Sequence, residues 1–491
     1  MSVSVKKVKR NPLRLHPNSK RIITRFYRSS DEERVEMIIK NILNLSEEET
    51  NFILEQILKT FSKRHRDISK ILKKNYSEIK EIVKRLRVND ITISKKKKLL
   101  IGSYFTQEYS IESAALFNPS IVLDPDQFNL KKGETRVIIS FRATGEGHIS
   151  SIVFRSAVID EDNNISIVEP GNLVELPETV KRFVYDKNRF KNKFEEIEHN
   201  GDVLNKIMER LNDKFIYGEL MRSIVEVLKD EKLSEFDKAE INKIKWFATS
   251  HYEVTYSLDT ALSERVIFPV SYSETNGIED ARFVRFTNDN GKITYYATYT
   301  AYNGNTVLST LLETKDFYHF KTKPLNGKYA IDKGMALFPK KINGKYAMIS
   351  RYDGYANYIM FSDNLNIWET AKKIQEPVFP WEFIKLGNAG SPLETEKGWL
   401  LITHSVGPMR KYSLGAILLD LKDPSKVIAR LEDPLLTANE EERDGYVPNI
   451  VYSCGSIILN NELIIPYAIS DYASTFATIS MDALFDEMVF E

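Results

Sequence analysis

One phrase recurs along this chain and restricts its fold more than any other feature. GKITYYATYTAY (291–302), GKYAMISRYDG (344–354), KGWLLITHSVG (397–407) and NELIIPYAISD (461–471) share a plan: a turn, an aromatic or apolar strand, and a polar residue near the strand's end. TRVIISFRATGEG (135–147) is a fifth copy. Tyr299, Arg351, His404 and Tyr467 mark matching points, spaced by 52, 53 and 63 residues. A second echo, TKDFYHF (314–320) and SDNLNIW (362–368), returns after 48 residues. Repeats of about 50 residues, each with several short strands, are the mark of propeller blades. Five copies predict a mainly β fold, a five-bladed β-propeller; a β-sandwich competes but leaves the repeated phrase unexplained. Alternate residues of a propeller's innermost strands point into a central channel. Polar residues at the ends of the repeated strands then gather at one funnel: Arg142, Arg155, Glu279 or Asp280, Arg351, His404 and Asp471. The bland reading of each is a salt bridge between blades.

Other textures surround the repeats. Residues 1–28 hold nine basic residues and no acidic one, which predicts an exposed or partly ordered tail. From Ser30 to about Val88 apolar residues recur at helical spacing, with Ser46 and Glu49 placed as a capping box. The run Lys95–Lys98 reads as a solvated linker face. Helical texture returns between about Pro177 and Lys245. The predicted division is a basic tail at 1–28, a helical region at 29–98, and a catalytic propeller at 99–491 with a helical insertion at about 177–245.

Composition excludes several classes. Lys+Arg and Asp+Glu each number 69, so the chain lacks the basic excess of a dedicated nucleic-acid binder. Cys454 is the single cysteine, so neither an internal disulfide nor a multi-cysteine metal site is expected, and the seven histidines never take a two-ligand spacing. No apolar run approaches the ~20 residues of a membrane helix, and the N-terminus lacks the apolar middle of a secretory signal. The expectation is a soluble, cytoplasmic protein without metal or cofactor.

The densest acidic signal is GIEDARF (277–283). Glu279 and Asp280 are neighbours, so in a regular strand they face opposite sides and at most one enters the channel. Arg282 shares the face of Asp280 and should lower its pKa, so burial or another carboxylate is needed to keep it a proton donor. GEGHISSIVFR (145–155) lacks the spacing of a dinucleotide fingerprint or P-loop, and Ser150 and Ser151 have no nucleophile elbow. THSVGPMRKYSLGA (403–416) sets His404, Arg410, Lys411 and Tyr412 together as a basic, aromatic loop able to hold phosphate or sugar hydroxyls.

These motifs, with ALFPKKINGKYAMISR, LGNAGSPLETEKGW and GYVPNIVYSCGSI, resemble glycoside hydrolase family 130, the β-mannoside phosphorylases and β-1,2-mannosidases. The resemblance runs from about Phe117 to the C-terminus and implies a five-bladed propeller that inverts the anomeric centre. It implies that Asp280 is the proton donor, acting through the sugar's own 3-hydroxyl. Candidate substrate contacts are Asn118, Arg142, His148, Arg155, Arg282, Tyr299 and Asp471. The phosphate or water side comprises Arg351, His404, Arg410, Lys411 and Tyr446. Family phosphorylases place two arginines and a lysine on phosphate; Arg351 resembles the first arginine and Lys411 the lysine. Glu369 stands where the second arginine is expected, and a carboxylate there would repel phosphate and activate water. Lys372 or Lys373 would rescue phosphate binding if that register is shifted. The reading therefore favours hydrolysis of β-1,2-linked manno-oligosaccharides, with Asp280 and Glu369 as the catalytic pair. The alternatives are a phosphorylase that takes inorganic phosphate as co-substrate and releases mannose 1-phosphate, and a non-catalytic sugar-binding propeller. The helical additions offer a surface for a homo-oligomer.

Overall fold

The computed structural model describes residues 5, 7–86, 90–171, 173–180, 184–197, 202–230 and 233–490. Antiparallel meanders dominate it, because the β-branched and aromatic strands pack well on a pleated, half-buried surface. The first meander runs Ala115–Leu123, Thr135–Thr144, Ser150–Ile159 and Ile165–Ile167. The second runs Gly277–Thr287, Ile293–Tyr302, Val307–Thr314 and His319–Pro324, and a parallel pair, Gly277 with Ser150, joins it to the first. The third is Ala336–Leu337, Tyr346–Ser350, Asn357–Ser362 and Ala371–Gln375. The fourth is Lys385–Asn388, Trp399–Val406, Tyr412–Leu419 and Val427–Arg430, with Val489–Phe490 on its edge. The fifth is Val451–Tyr452, Glu462–Ile469 and Ala473–Ser480.

Every copy of the repeated phrase is the second strand of its meander. The first strands, which sequence periodicity did not single out, are short or broken by bulges.

The basic N-terminal segment is not an exposed tail. Residues 1–4 and 6 lie outside the described residues, but Lys9–Arg10 pairs with Ala477 and Thr478 as an outer strand of the fifth meander. Ile22–Phe26 pairs with Thr106–Ser110, and Arg21, only 1% exposed, donates to Glu112 at 2.6 Å. A buried guanidinium needs such a partner, and the carboxylate supplies it.

Helices α1 (Glu32–Leu43), α2 (Glu47–Phe61), α3 (Ile68–Arg85) and α4 (Lys95–Tyr104) follow. The capping box at α2 has both bonds, Glu49 N–H to Ser46 Oγ at 3.1 Å and Ser46 N–H to Glu49 Oε2 at 2.8 Å. The lysine run is no linker: it is the first turn of α4, and Lys97 Nζ donates to the carbonyls of Leu43 and Leu45 at the end of α1. Such a cation satisfies carbonyls that a helix C-terminus leaves unpaired. Ile39, Ile79, Val83, Leu100 and Ile101 form the shared core. A second helical group, α5 (Lys187–Ile197), α6 (Asp202–Glu209), α7 (Tyr217–Asp230) and α8 (Glu235–Thr249), buries Phe194, Leu204, Ile207 and Ile244 in a core of its own. None of the helices among the described residues is long and apolar enough to cross a membrane.

Candidate functional site

The first strands of the meanders and the ends of the second strands converge on one cavity of about 240 Å³. First strands and the segments leading into them supply Asn118, Glu279, Asp280, Arg282, Lys333, Lys385, Ile450 and Tyr452; second strands end at Arg142, Arg351 and His404, with Asp471 just beyond the last. Tyr412 completes the wall.

Irregular backbone aims the acids. Between Glu279 and Arg282 the register shifts, so Asp280 and Ala281 together face Tyr299 across the ladder. A bulge of this kind bends the strand and re-aims a side chain. Asp280 takes a left-handed φ of 53°, and both Glu279 and Asp280 line the cavity. The alternation expected of a regular strand therefore does not hold. Asn118 sits at a matching shift between Phe117 and Ser120 with φ 49°, and Asp471 has φ 50°. Asn and Asp tolerate this region better than other side chains, at a strain of about 1–3 kcal/mol each.

Asp280 Oδ1 accepts from Asn118 Nδ2 at 2.7 Å and stands 3.5 Å from Arg142. Burial works to raise its carboxyl pKa, but Arg142, Arg282, the Asn118 hydrogen bond and Lys333 outweigh it and hold the group below the usual carboxylate range. Glu279 pairs with Arg142 at 2.9 Å and Lys333 at 3.3 Å. Arg282 donates to Asn388 Oδ1 at 3.1 Å and to the Tyr452 hydroxyl at 2.7 Å. Asp471 behaves oppositely to Asp280: burial and the Asp280 charge push its carboxyl up to about 7, against the pull of Arg142. Two neighbouring carboxyls thus divide into one ionised and one that holds its proton near neutrality, the usual sign of an acid–base site.

The far wall is cationic. His404 Nδ1 lies 2.8 Å from the Asn388 carbonyl, which only accepts, so Nδ1 carries the hydrogen and Nε2 accepts from Arg351 at 3.2 Å. Burial, Arg351 and Arg282 push the His404 pKa well down, so the ring is neutral. Gly387 makes this packing possible, because a Cβ there would lie 2.6 Å from His404 Cε1. Lys385 Nζ lies 5.7 Å from the centre of the Tyr412 ring. Arg142 Nε, Arg351 Nε and Asn118 Oδ1 are buried and without a hydrogen-bond partner among the described residues. Such groups call for a ligand. Among the described residues no group of three or more His, Cys, Asp and Glu is placed to hold a metal ion.

Several expected residues do not line the cavity. Arg155 is buried in an ion pair with Glu112 at 2.9 Å, the salt-bridge reading. The Tyr299 hydroxyl donates to buried Glu274 at 2.7 Å, inside the second meander's core. Glu369 is exposed and accepts from the Lys328 N–H at 3.4 Å, because its loop follows the third strand of the third meander and stays outside the cavity. Lys372 and Lys373 lie on that meander's outer strand, with Ser425 and Glu376 as partners. Arg410 is exposed in the turn Pro408–Arg410, and Lys411 lies beside it, half-buried. His148 and Tyr446 meet at 2.8 Å on the surface. Missed were Lys333, Lys385 and Tyr452. Lys385 immediately precedes the LGNAG stretch, but nothing in a single sequence separates it from other lysines.

A family model described as beta-1,4-mannooligosaccharide phosphorylase matches residues 251–489. The chain is 35% identical over 229 residues, 45% of its length, to 74% of a 1,2-beta-oligomannan phosphorylase from Thermoanaerobacter sp. strain X514. It is 36% identical over 240 residues, 47% of its length, to 76% of a beta-1,2-mannobiose phosphorylase from the same strain. The solved beta-1,2-mannobiose phosphorylase from Listeria innocua aligns with a TM-score of 0.45 and 21% identity, over 77% of this chain and 92% of that one. On its match to the two Thermoanaerobacter enzymes, the chain belongs to glycoside hydrolase family 130 and is an inverting enzyme of the glycosidase or glycoside phosphorylase type.

Proposed function

We propose that this protein is a phosphorylase of β-1,2-linked manno-oligosaccharides rather than the hydrolase its sequence alone favoured. The observation that carries this reading is the pair Arg351 and Lys385 flanking a neutral His404 in the cavity, with Glu369 outside it. Five cationic side chains face three carboxyl groups there, one of which, Asp471, holds its proton near neutrality, a balance suited to an anionic co-substrate. The matched Thermoanaerobacter relatives are named as phosphorylases, which supports the same choice.

In this reading inorganic phosphate sits against Arg351, Lys385 and His404. A phosphate oxygen attacks C1 of the terminal mannosyl unit while the C1–O bond to the next sugar breaks. Inversion turns the β-linkage into α-mannose 1-phosphate. The departing oxygen takes a proton relayed from Asp280 through the mannosyl 3-hydroxyl. Asp280 is charged in the free cavity, so it must gain that proton as sugar arrives. Burial already pushes its pKa up, and sugar hydroxyls that occupy Arg142 and Arg282 weaken the opposing pull.

The five successive meanders, each sending its first strand or the segment leading into it to the same cavity, support a five-bladed propeller spanning about 99–491, with Lys9–Arg10 added to its last blade. Helices α1–α4 and α5–α8 are accessory regions in that division. The test is incubation with β-1,2-mannobiose with and without phosphate. Mannose 1-phosphate formed only with phosphate is expected; free mannose released equally in both tubes would return the assignment to hydrolysis.

A further inference from the structure

We propose that the exposed His148–Tyr446 pair, carried on segments that continue from the cavity wall, is an acceptor-side platform that favours longer manno-oligosaccharides over the disaccharide; this rests on the phosphorylase reading above. His148 ends the turn Glu146–His148, six residues beyond Arg142 of the cavity wall. Tyr446 stands four residues before Ile450 of the same wall, and its neighbour Val447 donates to the carbonyl of Ser470, adjacent to Asp471, at 3.0 Å. The Tyr446 hydroxyl meets His148 Nδ1 at 2.8 Å, and the ring centres are 5.6 Å apart at 40°. Both side chains remain exposed, Tyr446 by 54%. Gly147 at φ 68° and His148 at φ 60° turn the loop outward, and nothing lies within 4 Å of a Cβ built on Gly147.

The cavity, at about 240 Å³, falls below the ~300–1,000 Å³ usual for ligand pockets. On the phosphorylase reading it takes the sugars that flank the reacting bond, so that further units run out over the rim. A tyrosine ring held by its hydroxyl presents a fixed apolar face to the C–H face of such a sugar, with little rotamer freedom left to lose. A purely structural stitch between the first and fifth meanders is the weaker explanation. An exposed hydrogen bond adds little, and those meanders are already joined by Leu116 N–H to the Tyr472 carbonyl and Ser474 Oγ to the Leu116 carbonyl, each at 2.9 Å.

The experiment compares kcat/KM for phosphorolysis of β-1,2-mannotetraose and β-1,2-mannobiose in the wild type, Tyr446→Ala, Tyr446→Phe and His148→Ala. The tetraose-to-biose ratio should fall about tenfold in Tyr446→Ala, equivalent to about 1.4 kcal/mol. It should fall about two- to threefold in Tyr446→Phe and His148→Ala, as suits one neutral hydrogen bond. An unchanged ratio in Tyr446→Ala overturns the platform; should that variant not fold, unchanged ratios in the other two overturn it. If the wild type phosphorolyses neither sugar, the phosphorylase reading fails by itself. The platform is then judged by the same ratio taken from calorimetric Kd values for the two sugars.

Discussion

Replacing Asp471 by Asn should stabilise the protein increasingly as pH rises from 4 to 8. Asp471 lines the cavity, and burial together with the nearby Asp280 charge lifts its carboxyl to about 7. In the unfolded chain the same group titrates near ~3.9. Below ~4 both states are protonated and the group costs nothing. Between ~4 and ~7 the folded state still holds the proton that the unfolded state has released, so wild-type stability falls as pH rises, and above ~7 the full loss is in place. At about 1.4 kcal/mol per pKa unit the loss has an upper bound of about 4 kcal/mol. The side chain is not fully enclosed and Arg142 lies close, so about half of that, ~2 kcal/mol, is the working figure. Asparagine has the same shape and no charge, and escapes the loss. Urea unfolding of both proteins at each pH unit from 4 to 8 measures it: the variant's advantage should grow through this window and level off above it. A difference that is flat, or that shrinks with rising pH, would refute the opposed titration of Asp471 and Asp280. The readout is stability, so it does not depend on whether the variant turns over.

Lys385→Met should raise the KM for phosphate roughly 10- to 100-fold, the equivalent of one charge-assisted hydrogen bond of about 1.5–3 kcal/mol, with a much smaller change in KM for mannobiose; initial rates at varied phosphate decide, and an unmoved phosphate KM removes Lys385 from that role. Glu369→Gln should alter kcat/KM by less than about twofold, as for an exposed side chain away from the chemistry; a loss beyond a hundredfold in the same assay would restore it as a water-activating carboxylate. Glu112→Gln leaves buried Arg21 and Arg155 without a countercharge, and should cost about 3–5 kcal/mol in denaturant unfolding while turnover per folded molecule is retained.

The parts of this molecule legible from sequence were those with a repeating physical cause. Second strands are mostly long and near-continuously apolar, so their period of about 50 residues stood out and the polar residues at or just past their ends, Arg142, Arg351, His404 and Asp471, fell into the cavity together. First strands are another matter. Ala336–Leu337 and Val451–Tyr452 are two residues long and Lys385–Asn388 is four, too short for any periodicity to register. Lys385 and Tyr452 were lost for that reason. Glu279 and Asp280 were placed on opposite faces because period-two alternation assumes an unbroken ladder, and the bulge at Ala281 breaks it. Arg155 and Tyr299 show the converse error. Both stand on long second or third strands and look inward, but inward there means the protein core, where Glu112 and Glu274 receive them.

In the proposed reading the preference for phosphate over water rests partly on where one glutamate sits, and local spacing could not supply that. Glu369 follows the SDNLNIW echo at the position a second phosphate-binding arginine was expected to take, yet that echo belongs to the outer half of the third meander. A residue there is separated from the cavity by the meander's own inner strands, whatever its charge. The cavity instead receives its cations from segments facing inward, with Lys385 at the start of one first strand and Arg351 just past the end of a second strand. His404 matters to them by staying neutral: its Nε2 lone pair holds Arg351 in place without adding a carboxylate that would compete with an anion. A protonated histidine at that point would raise the charge of the wall by a full unit and repel Arg351, whose acidic neighbour Asp332 stands 4.0 Å away. Desolvation of His404, together with Arg351 and Arg282, is what keeps the wall's cations available for an anion.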